Sequence, residues 1–201
     1  KHPERVAGFH FFNPVPLMKI VEVVRGERTD ERHIQSLVAL AEQAGHFPAI
    51  TPDTPGFLVN HAGRAYSTEA QRSLAEGIAD AEQIDRILRD GPGFRMGPFE
   101  LFDLTGLDVS HAVMESVYQQ FYQDPRYTPS YQAAQRVAAG LLGRKSGQGY
   151  YRYDNGQQMR TPEPALEPVS VDRPFWLDSQ DAELRGWLAA LLGQTGAQLE
   201  S

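Results

Sequence analysis

The chain contains no cysteine, and this absence removes several classes of chemistry. Without a thiol there is no disulfide framework, no cysteine nucleophile and no cysteine-ligated zinc, and the sequence predicts no metal site. The sequence also lacks an apolar run of the roughly 20 residues that a membrane span needs, and it shows no secretory signal pattern. These features predict a cytoplasmic protein that does not associate with membranes.

Positive charge is scarce as well. Nineteen lysines and arginines stand against 26 aspartates and glutamates, so the net charge is −7. Sequence-independent binding to nucleic acids depends on lysine and arginine contacts to phosphates, and we therefore expect no nucleic-acid partner. A Gly-x-Gly-x-x-Gly turn after a strand, which binds the pyrophosphate of a dinucleotide, is also missing from these residues.

The pattern of apolar residues predicts a mainly α chain. Residues 1–52 are typical of strand, strand, helix and strand, which is the end of an α/β unit. Residues 53–153 are typical of an all-α domain, with one helix predicted from Phe57 to Glu76 and another that begins after Asp80. Residues 154–174 are predicted to be a proline-rich linker, and residues 175–201 the start of a further α/β unit or a tail.

His10 and Glu22 are the first candidates for chemistry. Each lies in an otherwise apolar strand segment, where a titratable group needs a partner. Twelve residues and a Pro-x-Pro turn separate them, so two paired strands bring them side by side. The pair then suits a general base and the carboxylate that orients it, although a single histidine in a strand is more often structural.

Weaker signals lie in the helical region. Asn60 follows the turn at residues 54–57 and suits a donor to a substrate oxygen, but from the residues alone an ordinary helix asparagine is the more common explanation. The loop 143–149 with Lys145 suits phosphate binding, against the alternative of a plain surface loop. The apolar residues of 99–104 are interpreted as core, and the charges of 82–90 as a solvated face.

Four ordered motifs closely resemble those of the L-3-hydroxyacyl-CoA dehydrogenases, of the 3-hydroxybutyryl-CoA dehydrogenase type. They are GFHFFNPVP at 8–16 with VEV at 21–23, DTPGFLVN at 53–60, GPFEL at 97–101 with Asp103 and GLD at 106–108, and GRKSGQGYY at 143–151. The resemblance implies that residues 1–52 are the C-terminal part of a truncated, Rossmann-like NAD-binding domain, and that residues 53–153 are the family's helical C-terminal domain.

The resemblance also implies a function and the residues that carry it. The family interconverts L-3-hydroxyacyl-CoA and 3-oxoacyl-CoA with NAD. His10 is then the general base, Glu22 its orienting partner, and Asn60 the group that holds the 3-oxygen. Asn13 and Lys145 fall where the family contacts the cofactor. An acyl-CoA substrate and a homodimer formed through the helical domain follow as further expectations.

Two departures and the tail qualify the resemblance. The glycine-rich half of the NAD domain and a site serine before the histidine are absent from these residues, so we expect a fragment that is inactive alone and binds NAD weakly. His61 stands where the family more often has arginine. The tail resembles longer bacterial members, including those of phenylacetate degradation. A non-catalytic dimerisation or acyl-binding module, or a related hydroxyacid dehydrogenase, remains an alternative.

Overall fold

The structure is a computed structural model that describes residues 2–159 and 174–200, which form two separate units. Each unit is described by itself. The strands and helices of the first are β1 Ala7–Phe11, β2 Ile20–Arg25, α1 Glu31–Gln43, β3 Phe47–Pro52, α2 Val59–Ala62, α3 Arg64–Ala75, α4 Ala81–Asp90, α5 Pro98–Thr105, α6 Leu107–Gln120, α7 Tyr131–Ala138, β4 Arg152–Asp154 and β5 Gln157–Met159.

The first three strands form one sheet in the order β1-β2-β3. Strand β1 pairs with β2 antiparallel. Strand β2 pairs with β3 parallel, and helix α1 connects these two strands along the chain. Strand β2 is rich in β-branched residues, and its four central side chains, residues 21–24, are buried. The predicted order of strand, strand, helix and strand is confirmed, and it places the central strand between two neighbours that hold its register.

The predicted helix from Phe57 to Glu76 is two helices in the structure. Gly56 and Phe57 both have positive φ, so regular helix begins only at Val59. Gly63 then separates α2 from α3, with φ −77° and ψ 0°, although the backbone stays in the right-handed helical region. Glycine is a poor helix residue, and its ψ near zero relaxes the helix at this point.

Helix α4 begins as its sequence predicts but does not present a wholly solvated face. Asp80 accepts from the Gln83 backbone N–H and the Gln83 side chain accepts from that of Asp80, which is a complete capping box. Asp85, in the middle of the predicted solvated stretch, is nevertheless fully buried. The interpretation of residues 82–90 as a solvated face is therefore wrong at this position.

The helices of the first unit pack around one apolar cluster. Its buried members are Ala70, Ile84, Phe99, Phe102, Leu107, Met114, Ala133 and Tyr151. Helix α5 contributes Phe99 and Phe102, as predicted, but Leu101 and Leu104 are 38% and 47% exposed, so their assignment to the core is wrong. Leu101 and Leu104 are three residues apart and therefore share one side of α5, which is the side that faces solvent.

The C-terminal part of the chain differs from the predicted linker at its start. Strands β4 and β5 pair as an antiparallel hairpin over residues 152–159, so residues 154–159 are not linker, and residues 160–173 lie outside the described range. The second unit consists of β6 Phe175–Trp176, α8 Ala182–Gly193 and β7 Leu199–Glu200, with β6 and β7 parallel. Among the described residues, no helix is long and apolar enough to cross a membrane.

Candidate active site

The pairing of β1 with β2 brings His10 and Glu22 together as the sequence predicts. They are direct register partners in the antiparallel pair, and His10 Nδ1 lies 2.7 Å from Glu22 Oε2. The Glu22 side chain is fully buried, whereas that of His10 is 38% exposed. One end of the pair is therefore fixed in the protein interior, and the other reaches solvent and any ligand there.

The second oxygen of Glu22 holds the start of helix α2. Glu22 Oε1 accepts hydrogen bonds from the backbone N–H groups of Leu58, at 2.9 Å, and Val59, at 2.8 Å. The first N–H groups of a helix have no partner within it, and leucine at the N-cap position cannot supply one. The buried carboxylate supplies it instead, and this contact joins the sheet to the helical region.

The surroundings of His10 define which nitrogen is available for chemistry. An ionised carboxylate only accepts, so the contact to Glu22 assigns the proton to Nδ1 and leaves a lone pair on Nε2. The ring makes edge contacts to Phe12 and Phe57, with centroids 4.8 and 5.6 Å away. Within residues 2–159 and 174–200, the imidazole has Glu22 as its only hydrogen-bond partner.

Asn60 lies directly after the backbone groups that Glu22 holds. It is the second residue of α2, its side chain is half-buried, and it has no hydrogen-bond partner in the described part of the chain. A side-chain amide in this position offers both a donor and an acceptor. The carboxylate of Glu22 thus places His10 through one oxygen and the turn of helix that carries Asn60 through the other.

The structure does not bring the two predicted cofactor contacts into that cluster. Asn13 is exposed, two residues beyond the end of β1. Lys145 lies in the turn Arg144–Ser146, where its Nζ is 2.5 Å from Asp108 Oδ1. The hydrogen bond to Lys145 lowers the pKa of Asp108. No hydrogen bond or ion pair within the described residues joins Asn13 or Lys145 to His10, Glu22 or Asn60.

Sequence reasoning missed the burial of further carboxylates, among them Asp85 and Asp103. Asp85 accepts from the backbone N–H groups of Phe99 and Glu100 at 2.8 and 2.9 Å, and from the Tyr151 hydroxyl at 2.7 Å. Burial raises the pKa of Asp85 to about 6, although these hydrogen bonds oppose the rise. The signal in the sequence is the start of α5 at Gly97-Pro98, which again lacks a capping side chain.

Asp103 has the same kind of surroundings. It accepts from the backbone N–H groups of Tyr150 and Tyr151, both at 2.9 Å, and from the Tyr153 hydroxyl at 3.1 Å. Burial raises its pKa, against the effect of these hydrogen bonds. A Cβ on Gly149 would lie 2.1 Å from Asp103 Oδ1, so only glycine leaves room for the carboxylate to reach the loop.

Two protein-family models match consecutive parts of the chain. The model described as "3-hydroxyacyl-CoA dehydrogenase, NAD binding domain" matches residues 1–54. The model described as "3-hydroxyacyl-CoA dehydrogenase, C-terminal domain" matches residues 56–153. The junction between them falls at the turn that precedes α2, where Glu22 holds the helix.

Individual relatives agree with these matches. The chain is 50% identical to 3-hydroxyadipyl-CoA dehydrogenase of Escherichia coli over 151 residues, which are 75% of this chain and 32% of the relative. It is 42% identical to mitochondrial hydroxyacyl-coenzyme A dehydrogenase of Sus scrofa over 150 residues, 75% of this chain and 48% of that protein. The chain thus spans about a third to a half of the length of these relatives.

A solved structure extends the similarity to three dimensions. A crystal structure of 3-hydroxybutyryl-CoA dehydrogenase from Escherichia coli matches with a TM-score of 0.79 and 46% sequence identity. The match covers 87% of this chain and 36% of that one. The arrangement of the sheet and helices around His10 is therefore one that also occurs in an experimentally determined structure.

Proposed function

The chain belongs to the 3-hydroxyacyl-CoA dehydrogenase family, and on that premise we propose that it is part of an NAD-dependent oxidoreductase. The reaction is the interconversion of an L-3-hydroxyacyl-CoA with the 3-oxoacyl-CoA. His10 is the general base and acid, Glu22 orients it, and Asn60 holds the 3-oxygen of the substrate. The observation that carries this proposal is the Glu22 carboxylate, which contacts the His10 ring and the helix bearing Asn60 at once.

The geometry supports a specific division of work between these side chains. In the direction of oxidation, Nε2 of His10 accepts the proton of the 3-hydroxyl group. A hydride leaves the 3-carbon at the same time, and the bond between this carbon and its oxygen becomes a carbonyl. Glu22 holds the Nδ1 proton and stabilises the imidazolium that forms. The Asn60 amide donates to the 3-oxygen as its bond order changes. In reduction, the protonated His10 returns its proton to the carbonyl oxygen.

Bound NAD would supply the acceptor for the hydride. Of the chain's own residues, we propose Asn13 and Lys145 as contacts to the cofactor. Asn13 fits such a role, because its exposed amide lies three residues from His10 and offers both a donor and an acceptor. Lys145 fits less well, since Asp108 neutralises its charge, and it must exchange this partner before it binds a phosphate.

We further propose the setting in which the enzyme works. The names of two relatives specify a 3-hydroxyadipyl-CoA and a 3-hydroxybutyryl-CoA, and we extend an acyl-CoA substrate of this class to the present protein. Phenylacetate degradation is the proposed pathway, the cytoplasm the proposed location, and a homodimer through the helical region the proposed assembly. We keep the proposed boundary between the two domains at residues 52 and 53.

Turnover of acetoacetyl-CoA tests the proposal. Oxidation of NADH is followed at 340 nm for this chain and for the longest natural form of the protein that includes it. The His10→Gln variant is compared with His2→Gln, which removes a histidine from a His–Glu pair of similar length, 2.8 Å, that is exposed. We expect His10→Gln to lower kcat by about 10²–10⁴-fold, and His2→Gln to leave it unchanged.

The same assay separates the alternatives. Turnover of a free hydroxy acid, such as a gulonate-type sugar acid, without turnover of any acyl-CoA would indicate a related hydroxyacid dehydrogenase. Binding of acyl-CoA without turnover by any natural form would indicate a non-catalytic acyl-binding module. Activity that survives in His10→Gln would show that the histidine is structural and that the proposed site is wrong.

A further inference from the structure

Helix α3 buries a row of polar side chains where an apolar face would be expected. Arg64, Ser67, Thr68 and Gln71 are all buried, and they recur at the spacing that puts residues on one side of a helix. Ala70, further along the helix, joins the apolar cluster instead. The first turns of α3 therefore bury polar side chains directly after the end of α2.

Arg64 is the exceptional member of this row. Arg64 is only 8% exposed, and its Nε and Nη1 atoms are buried without a hydrogen-bond partner in the described residues. None of the ion pairs within residues 2–159 and 174–200 includes it. Burial lowers the pKa of the guanidinium, yet arginine keeps its proton in proteins. A buried cation without an acceptor is costly unless an anion completes the site.

The position of Arg64 relates it to the candidate active site. It follows Asn60 by four residues, and the backbone between them stays in the right-handed helical region through Gly63. Arg64 therefore follows Asn60 by about one turn of backbone, across the junction of α2 and α3. Glu22 holds the N–H groups of Leu58 and Val59, so the same carboxylate that orients His10 fixes the segment leading to Arg64.

We propose that Arg64 binds the carboxylate at the far end of a short dicarboxylic acyl chain, while its 3-carbon lies between His10 and Asn60. This inference rests on the function proposed above and names the substrate class of that site. In a six-carbon chain the terminal carboxylate is only three bonds from the 3-carbon, so the cation that binds it must come from a residue close to Asn60, and Arg64 follows Asn60 by one turn of backbone. A guanidinium and a carboxylate form a strong, paired hydrogen bond.

Coenzyme A carries phosphates that are a second source of negative charge for Arg64. An uncharged acyl-CoA of equal length has the same phosphates but no terminal carboxylate, so comparing the two ligands separates these sources. Hexanoyl-CoA and adipyl-CoA form this matched pair, and neither carries the 3-hydroxyl. Their binding can therefore be measured by calorimetry in the absence of turnover, on the longest natural form of the protein.

The test compares Arg64→Met with Arg72→Met, which removes a half-exposed arginine from the same helix. We expect the unaltered protein to bind adipyl-CoA at least tenfold more tightly than hexanoyl-CoA. Arg64→Met should abolish this preference while hexanoyl-CoA affinity changes less than twofold, and Arg72→Met should retain it. Arg64→Met should not lower the thermal unfolding midpoint, because it removes a buried charge that the free protein does not pair.

Each other outcome would overturn the inference in a recognisable way. Equal binding of the two ligands by the unaltered protein, or an equal loss of both in Arg64→Met, would assign Arg64 to another anion. A change of oligomeric state in sedimentation without a change in preference would assign it to a subunit contact. Turnover of acetoacetyl-CoA tells these failures apart from failure of the proposed function, in which no acyl-CoA is bound or converted.

Discussion

The buried carboxylate Glu22 at the sheet and two of the buried carboxylates in the helical region, Asp85 and Asp103, have the same hydrogen-bonding plan. Glu22, Asp85 and Asp103 each accept from two consecutive backbone N–H groups and from one ring-bearing side chain. In every case these N–H groups have no hydrogen-bond acceptor within their own segment of the chain. A buried carboxylate thus joins two distant segments of this chain three times.

The third hydrogen-bond partner distinguishes Glu22 from Asp85 and Asp103. For Asp85 and Asp103 it is a tyrosine hydroxyl, from Tyr151 and Tyr153, and burial raises the pKa of both tyrosines further above their ordinary value. Such groups do not exchange protons near neutral pH. For Glu22 it is the imidazole of His10, which is partly exposed and whose second ring nitrogen has no hydrogen-bond partner among the described residues. The same hydrogen-bonding arrangement can serve catalysis when its third partner is an acid–base group that a ligand can reach.

Glu22→Gln gives the sharpest test of this distinction. The amide oxygen can still accept from Leu58 and Val59, but the amide nitrogen would donate to His10 Nδ1 and force the proton onto Nε2. We expect kcat for acetoacetyl-CoA to fall by about 10³–10⁴-fold, as when the orienting acid of a catalytic histidine becomes an amide.

The unfolding midpoint of Glu22→Gln serves as the control. We expect a shift of only a few degrees, because the two backbone bonds persist. A variant that unfolds as readily as one lacking Asp103 yet keeps its kcat would show that Glu22 is a structural carboxylate like the other two.

Asp103→Ala tests the structural side of the comparison. Its removal leaves the N–H groups of Tyr150 and Tyr151 and the Tyr153 hydroxyl without their acceptor. We expect the free energy of unfolding in urea to fall by about 3–5 kcal/mol, with kcat of the folded protein within threefold of normal. Asp154→Ala, at an exposed position nearby, should change stability by less than about 0.5 kcal/mol.

Asp85 makes the stability of the helical region depend on pH. Burial raises its pKa from 3.8 to about 6, so the folded state keeps this proton when the unfolded state has lost it. The resulting stabilisation is complete below pH 3.8 and is lost as the pH rises through about 6. A shift of this size corresponds to about 3 kcal/mol.

Urea titrations between pH 4 and pH 7 measure this dependence. The free energy of unfolding of the unaltered protein should decline relative to that of Asp85→Asn, which has no such titration. Parallel curves for the two proteins would show that Asp85 keeps an ordinary pKa in the folded state.

Lys145→Met should have the smallest effect on stability, because its ion pair with Asp108 is half-exposed on both sides. We expect a loss below about 1 kcal/mol that shrinks further with added salt, and an upward shift of the pKa of Asp108 in an NMR titration. If Lys145 contacts the cofactor, KM for NADH should rise several-fold, whereas Lys19→Met should leave it unchanged. An unaltered KM would make Lys145 a structural residue.

The His10–Glu22 contact could be predicted from the sequence because everything it needs is local. An aromatic strand, a β-branched strand, a Pro-x-Pro turn and a spacing of twelve residues determine the register that pairs them. The same holds for the capping box of α4, whose two partners are three residues apart. In both cases the two partners lie close together in the sequence, and the sequence pattern predicted both contacts correctly.

The buried charges of Asp85 and Arg64 could not be predicted in this way. The partners of Asp85 include backbone N–H groups 14 and 15 residues away, and every residue but proline has such a group, so they leave no trace in the composition. The sequence of a charged helix such as α4 does not show whether one of its carboxylates is buried. The Nε and Nη1 atoms of Arg64 have no hydrogen-bond partner in the described residues, and only the packing around α3 shows their burial.

The carboxylate shared between His10 and the start of α2 also makes the backbone a reporter of chemistry. When the imidazole gains or loses a proton, the electron density on Glu22 changes, and the hydrogen bonds from Leu58 and Val59 strengthen or weaken with it. The amide proton resonances of these two residues should therefore follow each protonation of the histidine. The protonation state of the site could then be observed by NMR through two backbone amides that are hydrogen-bonded to Glu22 rather than to the histidine itself.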